Sequence, residues 1–206
     1  KSDGNPFFIE EWCSLIKEKK FSENIDDSRD IKHVYKIPNT LNSLILSRID
    51  CLEKDLKLLL QKATIIGEDF FLKILSLLES KLGLVENINQ PVDSLETENF
   101  IQHYLKEIDR YRFKHILTRD VAYSTILKSN KRILHKAVAE VIEENFEQIL
   151  DKFYFDLAVH YDTSGNTKKA IYYLEKSAIS YSEILDRESE LKCYLRIEEI
   201  IKDKKL

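Results

Sequence analysis

Methionine is absent from this chain of 206 residues, and glycine (4), proline (3) and tryptophan (1) are scarce. So few turn formers and helix breakers leave long helices favoured, and a mainly α fold is expected. Cysteine is as rare. Cys13, Cys51 and Cys193 are odd in number and widely spaced, with no CxxC or Cys/His ligand spacing. That pattern suggests neither a disulfide framework nor a zinc site, and it fits a reducing, cytoplasmic setting. No apolar run approaches the roughly 20 residues of a membrane helix, and the first residues have no signal-peptide pattern. Gly4, Gly67, Gly83 and Gly165 stand alone, none in frame with a Lys-Ser or Lys-Thr pair, so a phosphate-binding loop is missing. GxSxG, HExxH and EF-hand patterns are missing too. No catalytic or metal-binding residue is assigned, and this stretch by itself is not expected to hydrolyse ATP. Beginning at Lys1 and lacking methionine, it is read as an internal piece of a longer protein.

What is present is a charge-coated, foldable composition, 43% hydrophobic and 33% charged. The net charge of −4 argues against commitment of the whole chain to nucleic acid or to an anionic membrane. The charge is uneven. Between Asp109 and Lys136, eight basic residues (Arg110, Arg112, Lys114, Arg119, Lys128, Lys131, Arg132 and Lys136) face only Asp109 and Asp120. The segment therefore carries +6 and the remainder −10.

Asn5-Pro6 is a good helix start. Phe8, Ile9, Trp12 and Ile16 then share an apolar face, and Glu10 and Glu11 lie near the positive end of the helix dipole. A polar stretch, 22–32, reads as a linker. A second helix begins at Pro38-Asn39-Thr40 with Leu41, Leu44, Ile45 and Ile49. A third runs through Leu56, Leu59, Leu60 and Ala63 to a stop at Gly67, and a fourth is marked by Phe70, Phe71, Ile74, Leu75 and Leu78, closed by Gly83. Residues 87–94 read as a loop. Phe100, Ile101, Tyr104, Leu105 and Ile108 read as a helix leading into an alternating strand, Tyr111 to His115, with Leu84-Val85 as a candidate partner. Two more helices follow, through Val121 and Ala122 and from near Asn130.

The last third has small and aromatic residues at regular helical intervals. Tyr154, Leu157, Ala158, Tyr161, Ala170, Leu174 and Ser177 fall on the template of a 34-residue tetratricopeptide repeat, with Gly165-Asn166 at its turn. One repeat is expected over 151–184 and the start of another near Leu191, with further repeats beyond it. The side bearing Tyr154, Tyr161 and Tyr173 is the candidate for repeat packing or partner binding.

His33, His103, His135 and His160 read as structural or exposed. His115 ends a strand beside Lys114 and four residues before Arg119, a spacing that could place two donors near one phosphate; an ordinary structural histidine is the alternative. The basic segment could be a nucleic-acid face. The fourth helix, with Glu68, Asp69, Lys73, Glu79 and Lys81, offers no basic recognition surface, so nucleic acid is not the expected partner.

Four motifs in order resemble one family. Gly4-Asn5-Pro6-Phe7-Phe8-Ile9-Glu10-Glu11, then Ile37-Pro38-Asn39-Thr40-Leu41 with Arg48-Ile49-Asp50, then Ala63-Thr64-Ile65-Ile66-Gly67, and the Tyr111 to Tyr123 block ahead of the repeats are similar to the region after the ATPase core of STAND-type AAA signalling ATPases. These include multidomain adenylyl cyclases, ATPase-containing kinases and LuxR-type regulators. The resemblance implies a lid helix and linker over 1–36, a winged-helix-like domain over 37–128, and a helical connector with the first tetratricopeptide units over 129–206. It also implies ATP or ADP in the parent protein, held outside this piece, with Gly4 and Pro6 toward the adenine and His115, with Arg119, toward phosphate. The implied function is regulatory, coupling nucleotide state to an effector, with the upstream ATPase domain and a protein on the repeats as partners. In this family a strand and turn usually precede the Tyr-x-Phe-x-His strand, and Ile108-Asp109-Arg110 leaves almost no room for them. A winged-helix DNA-binding regulator and a plain tetratricopeptide scaffold remain the alternatives.

Overall fold

The computed structural model describes residues 6–23, 40–83 and 88–204. Among these the chain is mainly α-helical, with one three-stranded antiparallel sheet. Gly4, Pro38-Asn39, Leu84-Val85 and most of the stretch 22–32 lie outside the described residues. The chain divides into two compact units, Lys1–Phe71 with Asn87–Ile126, and Leu72–Glu86 with Leu127–Leu206.

The first unit opens with α1 (Pro6–Glu23). Phe8 and Trp12 of the expected apolar face pack on the core together with Leu15, whereas Ile9 is half exposed and Glu11 is buried instead. Thr40 then caps α2 (Leu41–Cys51) in a capping box: Ser43 N donates to Thr40 Oγ1 and Thr40 N to Ser43 Oγ, both at 3.2 Å. Leu44, Ile45, Arg48 and Ile49 form its buried face. Helix α3 (Lys54–Ile66) stops at Gly67 as expected, though with extended backbone (φ 162°) rather than a left-handed turn.

Phe70 and Phe71 belong to β1 (Asp69–Phe71), not to the helix that follows, α4 (Leu72–Lys81). The aromatic pair is drawn into the sheet because Phe70 sits opposite Tyr111. Helix α4 groups with the second unit, and the chain re-enters the first through α5 (Asn89–Thr97), where a loop was expected. Pro91 misled that expectation. It occupies the first turn, where its missing N–H has no intrahelical partner to lose.

Helix α5 ends in a Schellman turn on Asn99, whose φ is +61°. Asn99 N donates to Glu96 O and Phe100 N to Leu95 O. The chain therefore leaves the turn as a strand, β2 (Ile101–Leu105), correcting the helix expected over 100–108. A 3-10 turn (Lys106–Ile108) and Asp109, with φ +45°, connect it to β3 (Arg110–Phe113). The missing strand and turn were the segment read as helix. Strand β3 is central, in the order β1-β3-β2, so both its edges are paired. Tyr111 and Phe113 are buried and Arg112 is exposed, as alternation requires. His115 then stands at the N-cap position of α6 (Ile116–Ser124), without a side-chain capping bond, and the helix packs on α2 and α3.

In the second unit α4 packs on α7 (Lys128–Asn145), a 3-10 segment (Glu147–Phe153) follows, and three helices stack in turn: α8 (Tyr154–Ser164), α9 (Thr167–Glu183) and α10 (Arg187–Lys204). Gly165, at φ +93°, makes the α8 to α9 turn, with Asn166 N donating to Tyr161 O at 2.8 Å. Asn166 in turn caps α9, its side chain accepting from Lys169 N. Leu157, Ala158, Tyr161, Ala170, Leu174 and Ser177 are all buried. On α10 the buried positions are Cys193 and Ile200, while Leu191, Tyr194 and Leu195 are exposed.

Candidate functional site

The first unit brings the start of α1 onto the junction of β3 and α6. Pro6 is the first residue of α1 and is exposed. Next to it, the Phe7 ring lies 3.9 Å from the His115 ring, centroid to centroid. One turn further along α1, Glu10 accepts a hydrogen bond from Lys114 Nζ, and its other oxygen lies 3.8 Å from His115 Nε2. That separation is too long for a hydrogen bond. His115 Nε2 is buried with no hydrogen-bond partner. The Glu10 carboxyl is held below the usual carboxylate range, first by the hydrogen bond from Lys114 against the opposing cost of burial, then by the charges of Lys114, His115 and Arg48.

Glu11 is tied in separately. Arg48 Nη1 donates to Glu11 Oε2 at 2.7 Å, both side chains being almost wholly buried. Arg48 Nη2 also donates to Glu98 O at 2.5 Å, and the guanidinium lies 4.5 Å over the Phe100 ring. Lys114 reaches the same turn, donating to Asn99 Oδ1 at 3.1 Å. Two cations thus each bridge α1 to the Glu98-Asn99 turn.

Arg119 stands one helical turn after His115 but is engaged elsewhere. Its Nη2 donates to Thr64 O at 3.3 Å, its Nη1 to Asp120 at 3.1 Å, and the guanidinium sits 5.4 Å from the Tyr123 ring. Its Nε is buried without a hydrogen-bond partner. His115 and Arg119 share a helix end, yet Glu10 gathers Lys114 and His115 rather than Arg119. Gly4 lies outside the described residues.

In the second unit Tyr161 and Tyr173 are buried, so of the two roles expected for this side they take repeat packing, and their place on a partner surface is corrected. Their rings stack 5.8 Å apart, and both hydroxyls donate to Glu143. Lys169 Nζ donates to the same carboxylate at 2.6 and 2.9 Å. Burial pushes the Glu143 carboxyl up, but the hydrogen bonds from Lys169, Tyr161 and Tyr173 outweigh it and hold the group below its ordinary value. Burial raises both phenols, and the Glu143 carboxylate raises them further. Tyr154 is half-buried, its ring 6.0 Å from that of Tyr173. These tyrosines hold hairpins together.

An open cleft of about 320 Å³ in this unit is lined by Phe155, Val159 and Asp162 of α8, Leu174 of α9, and Lys192 and Arg196 of α10. Arg196 spans it, bonding Asp162. Leu174 is a packed position of the repeat template at the floor of the cleft, whereas Phe155, Val159, Lys192 and Arg196 fall outside the template and are exposed. The paired couples of the first unit carry no such signal, because Glu11 and Arg48 stand 37 positions apart.

The basic residues of the sheet are taken up internally. Arg110 bonds Asp69, Lys114 bonds Glu10, and Arg112 lies over the Tyr104 ring. Helix α5, the one preceding the β2–β3 hairpin, carries Asp93 and Glu96 and no Lys or Arg. Among the described residues no group of three or more His, Cys, Asp or Glu could hold a metal ion, and no helix is long and apolar enough to cross a membrane. Compared with protein-family models, with curated proteins and with solved structures, the chain matched none.

Proposed function

We propose that this chain is the non-catalytic regulatory and interaction part of a multidomain signalling ATPase, coupling nucleotide state to an effector such as an adenylyl cyclase. The observation that carries the reading is the 3.9 Å contact of Phe7, next to Pro6, with His115. The family resemblance assigns Pro6 and His115 to opposite ends of one nucleotide, and the fold brings their neighbourhoods together across more than a hundred residues. The unpartnered Nε2 of His115 suits a phosphate oxygen as acceptor. The element order, helix, strand, two helices, then a hairpin in a β1-β3-β2 sheet, supports a winged-helix-like domain.

In this reading Pro6 lies toward the adenine and His115 toward phosphate, while the ATPase core supplies the phosphate-binding loop and the hydrolysis. His115 fastens this region to the core in the ADP state, and a protein seated in the α8–α10 cleft, or exchange to ATP, favours release. The acidic α5 weighs against DNA reading, since a recognition helix needs donors toward phosphates and base edges.

The test is the parent protein. Its coding region upstream of Lys1 is expected to hold a GxxxxGK[ST] loop, and the purified parent is expected to release ADP on denaturation. His115→Ala should speed ADP loss by about tenfold, the loss of one charge-assisted hydrogen bond. A parent without that loop and without nucleotide sinks the switch and leaves a helical interaction module.

A further inference from the structure

The end of β3 presents Lys114 and His115 side by side, and α1 lays Glu10 against both. The geometry is that of an anion site filled from within. Lys114 Nζ is satisfied by Glu10 and Asn99, whereas His115 Nε2, 3.8 Å from the second Glu10 oxygen, is not. A planar carboxylate anchored by the lysine stops short of the imidazole. A tetrahedral anion, with three or more acceptor oxygens, could serve both donors at once.

We propose that Lys114 and His115 together bind phosphate, that Glu10 is the resident anion, and that a nucleotide phosphate displaces it and so frees the start of α1 from β3. The proposal rests on the reading that His115 faces nucleotide phosphate, and it adds a second cation and the group that competes for the site. The electrostatics favour exchange. The cations that hold the Glu10 carboxyl below its ordinary range would act on a doubly charged phosphate more strongly than on a single carboxylate. Glu10 itself is exposed and returns to water readily. The rest of α1 stays attached, through Glu11 on Arg48 and through Phe8 and Leu15 packed with Leu44. Phe7 rests on His115 and moves with Glu10, so occupancy at the phosphate is converted into a shift of the helix that starts at Pro6.

Trp12 is the chain's one tryptophan and is partly buried against the Phe8, Leu15 and Leu44 cluster, which makes it a reporter of α1. Pyrophosphate and ADP are titrated in parallel into the 206-residue chain, following Trp12 fluorescence and, independently, heat. The expected result is that Glu10→Gln binds pyrophosphate about tenfold more tightly than the wild type. Adding Lys114→Ala or His115→Ala should abolish that binding, with circular dichroism unchanged. Tighter ADP than pyrophosphate marks a nucleotide, and equal affinities mark a phosphate alone. Equal affinity of the wild type and Glu10→Gln overturns the proposal, as does binding that survives both alanine variants. If no variant binds either probe while His115→Ala still speeds ADP loss from the parent, only the Glu10 exchange fails. If that loss is also unchanged, the nucleotide reading fails with it.

Discussion

Glu11 on α1 and Arg48 on α2 form an ion pair at 2.7 Å with side chains 3% and 1% exposed. Arg48 is further fixed by Glu98 O and by the Phe100 ring. A pair this dry holds α1 in register with the bundle, because sliding the helix by one residue would leave two charges in apolar surroundings.

Removing one partner should therefore be worse than removing both. Glu11→Ala is expected to cost about 3–5 kcal/mol, whereas Glu11→Leu with Arg48→Met should be near neutral. Urea unfolding of the two singles and the double measures this. If α1 detaches first, Trp12 fluorescence will change at a lower urea concentration than the helical signal. A cycle in which the double variant is as damaged as the sum of the singles would remove the pair from the account.

Glu143 is the hub of the second unit, accepting from Tyr161, Tyr173 and Lys169. Glu143→Leu leaves two buried hydroxyls without their acceptor and should destabilise this unit by about 2–4 kcal/mol. The acid side follows by sign. The folded carboxyl sits below its ordinary value, so its stabilisation is present above the ordinary carboxylate range and is lost as pH falls through the lowered value. Thermal unfolding of Glu143→Gln should show a weaker decline across that range than the wild type, and equal declines would count against the hub.

Most helices were legible because each buries a face that recurs at helical spacing: Leu44, Ile45 and Ile49 on α2, or Leu157, Ala158 and Tyr161 on α8. The errors fall where a tertiary partner decided. Phe100, Ile101, Tyr104 and Leu105 suit a helix by spacing alone, and only the left-handed turn at Asn99 and the pairing with β3 make them a strand. Asn99 could have been read as a helix stop, since asparagine tolerates that conformation. The site was half legible. His115 stood out beside Lys114, but that α1 supplies Glu10 to them depends on a contact across 104 positions, which no local pattern encodes.

Leu185 makes the α9 to α10 turn with φ +61°, Asp186 N donating to Tyr181 O at 2.9 Å. A leucine there carries strain that glycine would not, and its side chain is 73% exposed, so little packing is lost. Leu185→Gly is expected to stabilise the chain by up to about 1 kcal/mol, read as a rise in the thermal midpoint. A fall in the midpoint would mean that the turn is not left-handed in solution.

His135 and His160 meet Nδ1 to Nδ1 at 2.8 Å between α7 and α8, both buried. One nitrogen must donate and the other accept, so at least one ring is neutral at its Nδ1. Burial, and then the neighbouring His135, push His160 down to about 3. In the unfolded chain it would titrate near 6.5. Between those values the unfolded state binds more protons, so folding stability falls as pH drops below about 6.5. The loss should be on the order of 1 kcal/mol by pH 5.5, where one unit of pH corresponds to about 1.4 kcal/mol. His160→Gln keeps a side chain able to donate or accept, and it should flatten the dependence between pH 7 and 5.5. Urea midpoints of the two proteins at both pH values decide it: parallel declines would mean that the acid sensitivity comes from other groups and that this imidazole is not held neutral by its burial.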